Sequence, residues 1–166
     1  MSLLNWFGVV YREDAFRVDG QWGMMMRLQP PVDTLADCSP AQVINGYGRI
    51  VSPESYIWVS GSLPAWISLN WDKPQKIHSV YITFDTDMNN PPMTYPQFPL
   101  HPYCATDFTL QGLTEAGEWI SLCDITGNYQ RCVKIDFPEA SLKRVKLNIT
   151  ATGGDQQARV IEIRCY

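Results

Sequence analysis

The sequence predicts an all-β fold, an antiparallel β-sandwich, and two observations indicate it most directly. Apolar and polar residues alternate with a period of two in several segments, which is the pattern of strands with one buried face. Turn-forming residues separate these segments, and the 166 residues include 12 prolines and 11 glycines, which would interrupt long helices. A chain of this length forms one well-buried domain and is short for two.

The first part of the chain, residues 1–36, differs from the rest. Two short strand patterns, residues 7–11 and 24–28, flank a turn sequence at residues 18–21. We therefore expect an N-terminal extension or linker here that forms a hairpin, with the main domain at residues 37–166.

Seven segments of the main domain carry strand patterns. Four show clear alternation and three are shorter runs: residues 67–72, 80–85, 145–150 and 161–166, and residues 108–111, 120–125 and 133–137. Turns such as Asp72-Lys73-Pro74 and Thr126-Gly127-Asn128 separate them. Because Trp66, Trp71 and Trp119 fall within these strand patterns or directly before them, we expect their side chains in the core.

One long loop, residues 88–103, has no strand pattern. It contains five prolines, no Asp, Glu, Lys or Arg, and the aromatic residues Tyr95, Phe98 and Tyr103. Loops of this length inside a compact domain are usually functional or mobile, and proline lowers the entropic cost of ordering them. The loop is therefore a candidate ligand-binding segment.

Composition and charge exclude several functions. The net charge is −4 and the richest basic stretch, residues 143–146, holds three cations, so we expect no nucleic-acid partner. No apolar run approaches the roughly eighteen residues of a membrane-spanning helix. Residues 1–8 lack the pattern of a signal peptide, and Met1-Ser2-Leu3 is typical of an expression vector, which suggests a piece excised from a larger protein. The compartment stays open, with export to a bacterial cell surface among the alternatives.

The five cysteines form no metal-binding pattern, since no Cys-x-x-Cys pair is present and the two histidines are remote from any cysteine pair. Free buried thiols are the simplest interpretation. One or two disulfides are the alternative. Neighbouring first and last strands would bring Cys38 near Cys165, and a hairpin turning at residues 126–128 would place Cys123 across from Cys132.

Catalysis has little support in the sequence. Neither histidine lies in a Ser-His-Asp order, and no cysteine has the companion signature of a thiol protease. His78 adjoins an alternating apolar run, which favours a structural role. The carboxylate pairs Asp85/Asp87 and Glu115/Glu118 fall at turns or strand edges. We therefore expect a protein that is not an enzyme.

Five strings occur in an order typical of one domain family. They are residues 43–49 (VINGYGR), 58–60 (WVS), 64–69 (PAWISL), 77–87 (IHSVYITFDTD) and 158–166 (ARVIEIRCY). Together they resemble the discoidin-like domain, also called coagulation factor 5/8 type C, of the galactose-binding-domain-like superfamily. The resemblance covers about residues 37–166 and implies a jelly-roll β-sandwich. It also implies a noncatalytic module whose ligands are glycans, lipid head groups or proteins.

A finer resemblance concerns the string at residues 84–87 (FDTD). It is most similar to the versions of this domain appended to bacterial flavin-dependent oxidoreductases. No flavin site is expected in this chain itself, because no Gly-x-Gly-x-x-Gly opens a βαβ unit. Any such enzymatic chemistry would therefore belong to a parent protein.

From these observations we expect an accessory module of a larger, bacterial protein that binds carbohydrate at its loops. A sugar needs an aromatic plate for its apolar face and fixed polar groups for its hydroxyls. The candidate ligand-binding residues are Tyr47, Arg49, Trp58, Tyr95, Phe98 and His101. For Trp58 two alternatives stay open, contact with a ligand and a position in the core. The alternative function is a ligand-free structural appendage that packs on the catalytic domain of a flavin-dependent oxidoreductase, through an apolar patch at Trp22 and Met24-Met25-Met26.

The resemblance also implies a structural calcium ion beside an Asp-Gly-Asp turn, held together with the Glu of the last strand. The candidate ligands here are Asn45 and Glu162. Tyr47 stands where the family has a second acid, and the loss of a carboxylate weakens a site that needs about six to eight oxygens. Residues 85–90 resemble the start of an EF-hand loop but lack its glycine, and side-chain capping of a turn explains them better.

Overall fold

The computed structural model describes the backbone of residues 15–18 and 21–24, and residues 38–48, 57–86 and 101–166 with their side chains. The chain forms two compact units, Met1–Leu35 and Ala36–Tyr166. The assignment of domains made from the sequence stays a prediction. Within the described residues, no helix is both long and apolar enough to cross a membrane.

The first unit contains a short hairpin. Strand β1 (Ala15–Val18) pairs antiparallel with strand β2 (Gln21–Met24). Two residues of sequence Asp-Gly separate the strands, which is the length and composition of a tight hairpin connection. In such a hairpin the residues on either side of the turn pair with each other. Strand β1 therefore ends, and strand β2 begins, directly at the turn. The strand predicted at residues 7–11, and the part of the second one at residues 25–28, lie outside the described residues.

The second unit has six strands in its described part, and each is antiparallel to its neighbours in one sheet. They are β3 (Trp58–Val59), β4 (Ala65–Phe84), β5 (Ala105–Thr114), β6 (Trp119–Ile125), β7 (Cys132–Thr152) and β8 (Arg159–Cys165). A short 3-10 helix, Pro40–Ile44, precedes β3. The order across the sheet is β3-β8-β4-β7-β5-β6.

Strands β4 and β7 are long, and they bend so that each contributes to both halves of the sheet. Residues 65–70 of β4 pair with residues 144–149 of β7, whereas residues 79–83 pair with residues 132–136. The register shifts twice between these two sets of pairs, and such irregularities bend a strand. Strands β5 and β6 extend the first half of the sheet, and β8 and β3 extend the second half.

The two halves face each other and enclose the core. Phe84 of the second half and Phe108 of the first half are fully buried, and their ring centroids lie 5.0 Å apart. Aliphatic side chains from both halves fill the remaining space, among them Val80, Ile82, Leu110, Leu142, Leu147, Ile149 and Val160. The antiparallel β-sandwich predicted from the two-residue alternation is confirmed.

Two tryptophans depart from the prediction. Trp66 and Trp119 are 60% and 45% exposed, so their assignment to the core was wrong, whereas Trp71 packs against the core as predicted. Each exposed tryptophan directly precedes an inward residue, Ile67 or Ile120. Because neighbouring side chains on a strand point to opposite faces, both indoles lie on the outer face. The ring of Trp66 is covered in part by the Lys146 ammonium, 4.9 Å from the ring centroid.

All five cysteines are free thiols, so the alternative of disulfides was wrong. The carbonyl of Cys38 accepts the N–H of Val59, which pairs with Arg159 at the start of β8. Cys165 is the last residue of β8, roughly 20 Å further along the strand. Cys123 lies opposite β5 and Cys132 lies opposite β4. The fold therefore keeps both pairs apart.

Candidate functional site

Three connections meet at one end of the sandwich. The N–H of Asp155 donates to the carbonyl of Pro102 at 3.0 Å, and the N–H of Gly153 donates to the carbonyl of Cys104 at 2.9 Å. The N–H of Asn128 donates to the carbonyl of Thr106 at 2.8 Å. These bonds join the β6–β7 and β7–β8 connections to the segment that leads into β5. We call the surface formed by residues 101–104, 126–131 and 153–159 the loop end.

Arg159 occupies a central position in the loop end, at the start of β8. Its guanidinium lies 3.8 Å from the ring centroid of Tyr103. Its Nε and Nη2 each lie 3.0 Å from Oδ2 of Asp155, and its Nη1 lies 3.8 Å from the buried carboxylate of Asp85. A planar guanidinium suits both stacking on a ring and forked donation to a carboxylate. The side chain is thus fixed on three sides and still 26% exposed.

The connection between β6 and β7 is fixed by Asn128. Its side-chain amide is buried, donates to the carbonyls of Ala105 at 2.8 Å and Gln130 at 3.1 Å, and accepts the N–H of Gln130 at 3.0 Å. A buried amide with its groups satisfied holds a loop in one conformation. Tyr129 follows directly and is 60% exposed. The loop end therefore presents an aromatic ring on a rigid support.

The segment from His101 to Tyr103 forms the third side of the loop end. His101, a predicted ligand-binding residue, is half-buried, and its carbonyl accepts the N–H of Cys104 at 3.1 Å. Gly153 packs directly on this segment, because a Cβ at that position would lie 2.8 Å from the carbonyl carbon of His101. The close backbone contact fixes how Tyr103 faces Arg159.

The other predicted ligand-binding residues have different positions. Tyr47 is exposed and follows the 3-10 helix, and its N–H donates to Oδ1 of Asn45 at 2.8 Å. Trp58 is 7% exposed and belongs to the core, which favours the core over ligand contact, the two roles that the sequence leaves open. Arg49, Tyr95 and Phe98 lie outside the described residues.

The side chains of Asn45 and Glu162, the predicted calcium ligands, both have partners within the protein. The side chain of Asn45 bonds within its own turn, to Gln42 and to the N–H of Tyr47. An oxygen of Glu162 lies 2.6 Å from a guanidinium nitrogen of Arg164. The described part of the chain holds no group of three His, Cys, Asp or Glu side chains that could bind a metal, whereas calcium takes about six to eight oxygens. The calcium prediction therefore depends on the chelation experiment below.

The thiol beside the loop end is a packing group. Cys104 is buried, and this burial, together with the charge on Asp85, raises its pKa to about 11. A thiol with such a pKa stays protonated at neutral pH and is a poor nucleophile. Its sulfur instead lies 3.6 Å from the carbonyl of Gln130 and 3.7 Å from the amide nitrogen of Asn128.

Three residues of the loop end were not predicted from the sequence: Tyr129, Asp155 and Arg159. Tyr129 directly follows the predicted turn at residues 126–128, and an aromatic residue beside a turn was the signal that could have found it. Asp155 and Arg159 are four residues apart at the entry to the last predicted strand. The stacking of Arg159 on Tyr103 and the hydrogen bond from Asp155 to Pro102 are contacts that only the folded chain makes.

Several solved structures share this fold. The family 32 carbohydrate-binding module from Streptococcus pneumoniae EndoD has a TM-score of 0.63 and 16% identity, over 80% of this chain and 88% of that chain. The module GH31 CBM32-2 bound to GalNAc has a TM-score of 0.62 and 12% identity, over 76% and 85%. The family 32 module from C. perfringens NanJ in complex with galactose has a TM-score of 0.57 and 18% identity, over 76% and 82%. These structures share the jelly-roll β-sandwich fold with this chain. No family model and no curated protein matches the chain.

Proposed function

We propose that the protein is a noncatalytic carbohydrate-binding module that recognises a sugar at the loop end. The observation that carries the proposal is Arg159, which is fixed between Tyr103 and Asp155 and still partly exposed. A polar group that is already held in place loses little entropy when a ligand binds. The exposed ring of Tyr129 belongs to the same surface.

This surface supplies both kinds of contact that a sugar needs. The guanidinium of Arg159 donates hydrogen bonds and the carboxylate of Asp155 accepts them, so sugar hydroxyls can pair in both directions. The ring of Tyr129 offers an apolar plate for the C–H face of a pyranose. His101, at the edge of the loop end, is a further polar contact.

Galactose and N-acetylgalactosamine are the first ligands to test, because two of the similar modules were solved with galactose or GalNAc. We also propose that the chain is an accessory part of a larger, bacterial protein, as the resemblance to appended domains implies. A flavin-dependent oxidoreductase is the parent enzyme that the finer resemblance suggests.

The second candidate function is a structural appendage without a ligand, which packs on the catalytic domain of such a parent. The exposed indoles of Trp66 and Trp119 on the outer face of the sheet favour it, since exposed apolar rings suit a protein interface. It predicts no saturable binding of any sugar, and burial of these two rings in the intact protein.

Isothermal titration of the wild-type chain and three variants with galactose and N-acetylgalactosamine tests the proposal. Tyr129→Ala removes the exposed ring, and Arg159→Lys keeps the charge but loses the planar fork. Each should weaken binding by about tenfold or more. Trp119→Ala, which removes an exposed ring away from the loop end, is the matched control and should bind as the wild type does.

Two outcomes would overturn the loop-end proposal. One is the absence of wild-type binding at about 50 mM of either sugar, well above the range of weak affinities. The other is unchanged affinity in both loop-end variants, provided that their melting temperatures show that they are folded. The first result favours the structural appendage, whereas the second leaves a sugar bound at another place on the chain.

A further inference from the structure

We propose a second ligand site, for a carboxylate-bearing sugar, on the outer face of the second half of the sheet. The strands β7, β4 and β8 form there the floor of an open trough of about 610 Å³. Ligand sites of small molecules commonly have volumes of this order. The trough lies outside the loop end and shares none of its contacts, so the inference does not rest on the proposed function.

The floor of the trough is a tyrosine between two cations. In the sheet register, Tyr81 of β4 lies directly opposite Lys134 of β7 on one side and Arg164 of β8 on the other. Residues opposite each other in a sheet point to the same face. Adjacent strands are about 4.8 Å apart, and β4 lies between the strands of the two cations. The backbones of Lys134 and Arg164 are therefore roughly 10 Å apart. A single carboxylate between them can reach both long side chains.

A second ring gives the trough an apolar corner. The ring of Tyr166 stands edge-on to the ring of Tyr81, with centroids 5.4 Å apart and an interplanar angle of 82°. The ammonium of Lys134 lies 5.8 Å from the centroid of Tyr81. Two perpendicular rings offer a plate and a wall for the apolar face of a pyranose, which a simple inorganic anion would not use.

Two cations, Lys134 and Arg164, line the trough, and each lies beside one carboxylate. Lys134 pairs with Asp136, and Arg164 pairs with Glu162. The hydrogen bond to Asp136 raises the pKa of Lys134. A guanidinium is not deprotonated in proteins, so both side chains stay charged in neutral solution.

The present partners of the two cations leave room for a ligand. Lys134 pairs with Asp136 at 2.9 Å, and both side chains are exposed. Such a surface pair contributes little, so a ligand carboxylate can replace Asp136 at small cost. Glu162 is nearly buried and holds one nitrogen of Arg164 at 2.6 Å. It orients the guanidinium, which also bonds to the side chain of Tyr166, and the remaining N–H groups can donate to a ligand.

Two sugars that differ at one carbon test this site. The methyl glycoside of galacturonic acid carries a carboxylate where methyl galactoside carries a hydroxymethyl group, and the two are otherwise identical. Each is titrated into the isotope-labelled chain while the backbone amide NMR signals are followed. The acidic sugar should give saturable shifts at Tyr81, Lys134 and Arg164, and the neutral sugar should leave these signals in place.

Variants assign the binding to the trough. Lys134→Gln should weaken binding of the acidic sugar by about fivefold or more, as expected for loss of one charged contact. Lys76→Gln is the matched control. It removes an exposed, ion-paired lysine that belongs to β4 and lies outside the trough, and it should leave the affinity for the acidic sugar unchanged. Tyr166→Leu removes the wall of the trough and should also weaken binding, which separates a sugar site from a charge patch. Arg159→Lys should leave it unaffected.

Three results would overturn the second site. They are the absence of saturable shifts in the trough with the acidic sugar, equal shifts with the neutral sugar, and equal shifts with sodium sulfate, which would indicate an unspecific anion patch. Failure of the loop-end proposal is seen separately, as the absence of shifts at Tyr129 and Arg159 with methyl galactoside.

Discussion

Gly153→Ala is the substitution that tests the assembly of the loop end most sharply. A Cβ at position 153 would lie 2.8 Å from the carbonyl carbon of His101 and 3.3 Å from Cα of Pro102, and closer still to the carbonyl oxygen of His101. Ordinary contacts of a Cβ are about 3.4 Å or longer, and overpacking of this kind costs about 1–3 kcal/mol. Because the obstacle is backbone and not the end of a side chain, we expect the upper part of this range.

The cost should appear as a lower melting temperature and a changed loop end. In a domain of this size, each kcal/mol lowers the melting temperature by about 3–4 °C. Displacement of residues 101–103 should also move Tyr103 away from Arg159 and weaken sugar binding. Circular dichroism melts and urea titrations measure the first effect, and the titration described above measures the second.

Gly61→Ala is the matched control, because a Cβ there would meet no atom within 4 Å. It should change the free energy of unfolding by less than about 0.5 kcal/mol. If Gly153→Ala were as stable as Gly61→Ala, the close contact between residues 101–102 and the β7–β8 connection would be refuted, and the loop end with it.

Three further predictions concern the core, the thiols and calcium. Phe108→Ala, which removes the fully buried partner of Phe84, should cost about 3–5 kcal/mol in urea denaturation; a cost below about 1 kcal/mol would contradict the packing of the two halves. In the native protein at about pH 8, a thiol reagent followed by mass spectrometry should label the exposed Cys132 first. It should spare Cys104 and Cys165, because burial raises their pKa values to about 11 and about 12 and leaves almost no thiolate; equal labelling rates would refute this. A calcium chelator should leave the melting temperature unchanged, since the side chains of Asn45 and Glu162 already have protein partners; a fall in melting temperature on chelation, reversed by added calcium, would support the calcium site.

The strands of the sandwich could be predicted because their alternation is local. Val80, Ile82 and Phe84 were assigned to one face, and all three are fully buried. The same alternation also predicts which face of the strand each residue occupies. It would have placed Trp66 on the outer face, since Trp66 directly precedes the inward residue Ile67. The error came from treating a large apolar residue as buried without asking which face it occupies.

The continuity of the long strands could not be predicted. Residues 67–72 and 80–85 were assigned to separate strands because Asp72-Lys73-Pro74 is a turn sequence. In the fold, β4 runs through it with a shift of register and pairs again with β7. Whether such a sequence makes a turn or a bend depends on the partner strand, which local patterns do not contain.

The candidate site could be predicted only in part, for the same reason. His101 and Tyr103 were found because they belong to an unusual loop. Arg159 stacks on Tyr103, and the N–H of Asp155 donates to the carbonyl of Pro102, both far away in sequence. Contacts between separate connections arise from the fold and leave no short sequence pattern.

Mapping of amide NMR shifts during titration of the wild-type chain with galactose and N-acetylgalactosamine tests the central claim most directly. The account predicts saturable shifts at Tyr103, Tyr129, Asp155 and Arg159, with signals from the turn at residues 115–117, at the opposite end of β5 and β6, unchanged. Shifts confined to that opposite turn, or no saturable shift up to about 50 mM of either sugar, would contradict it.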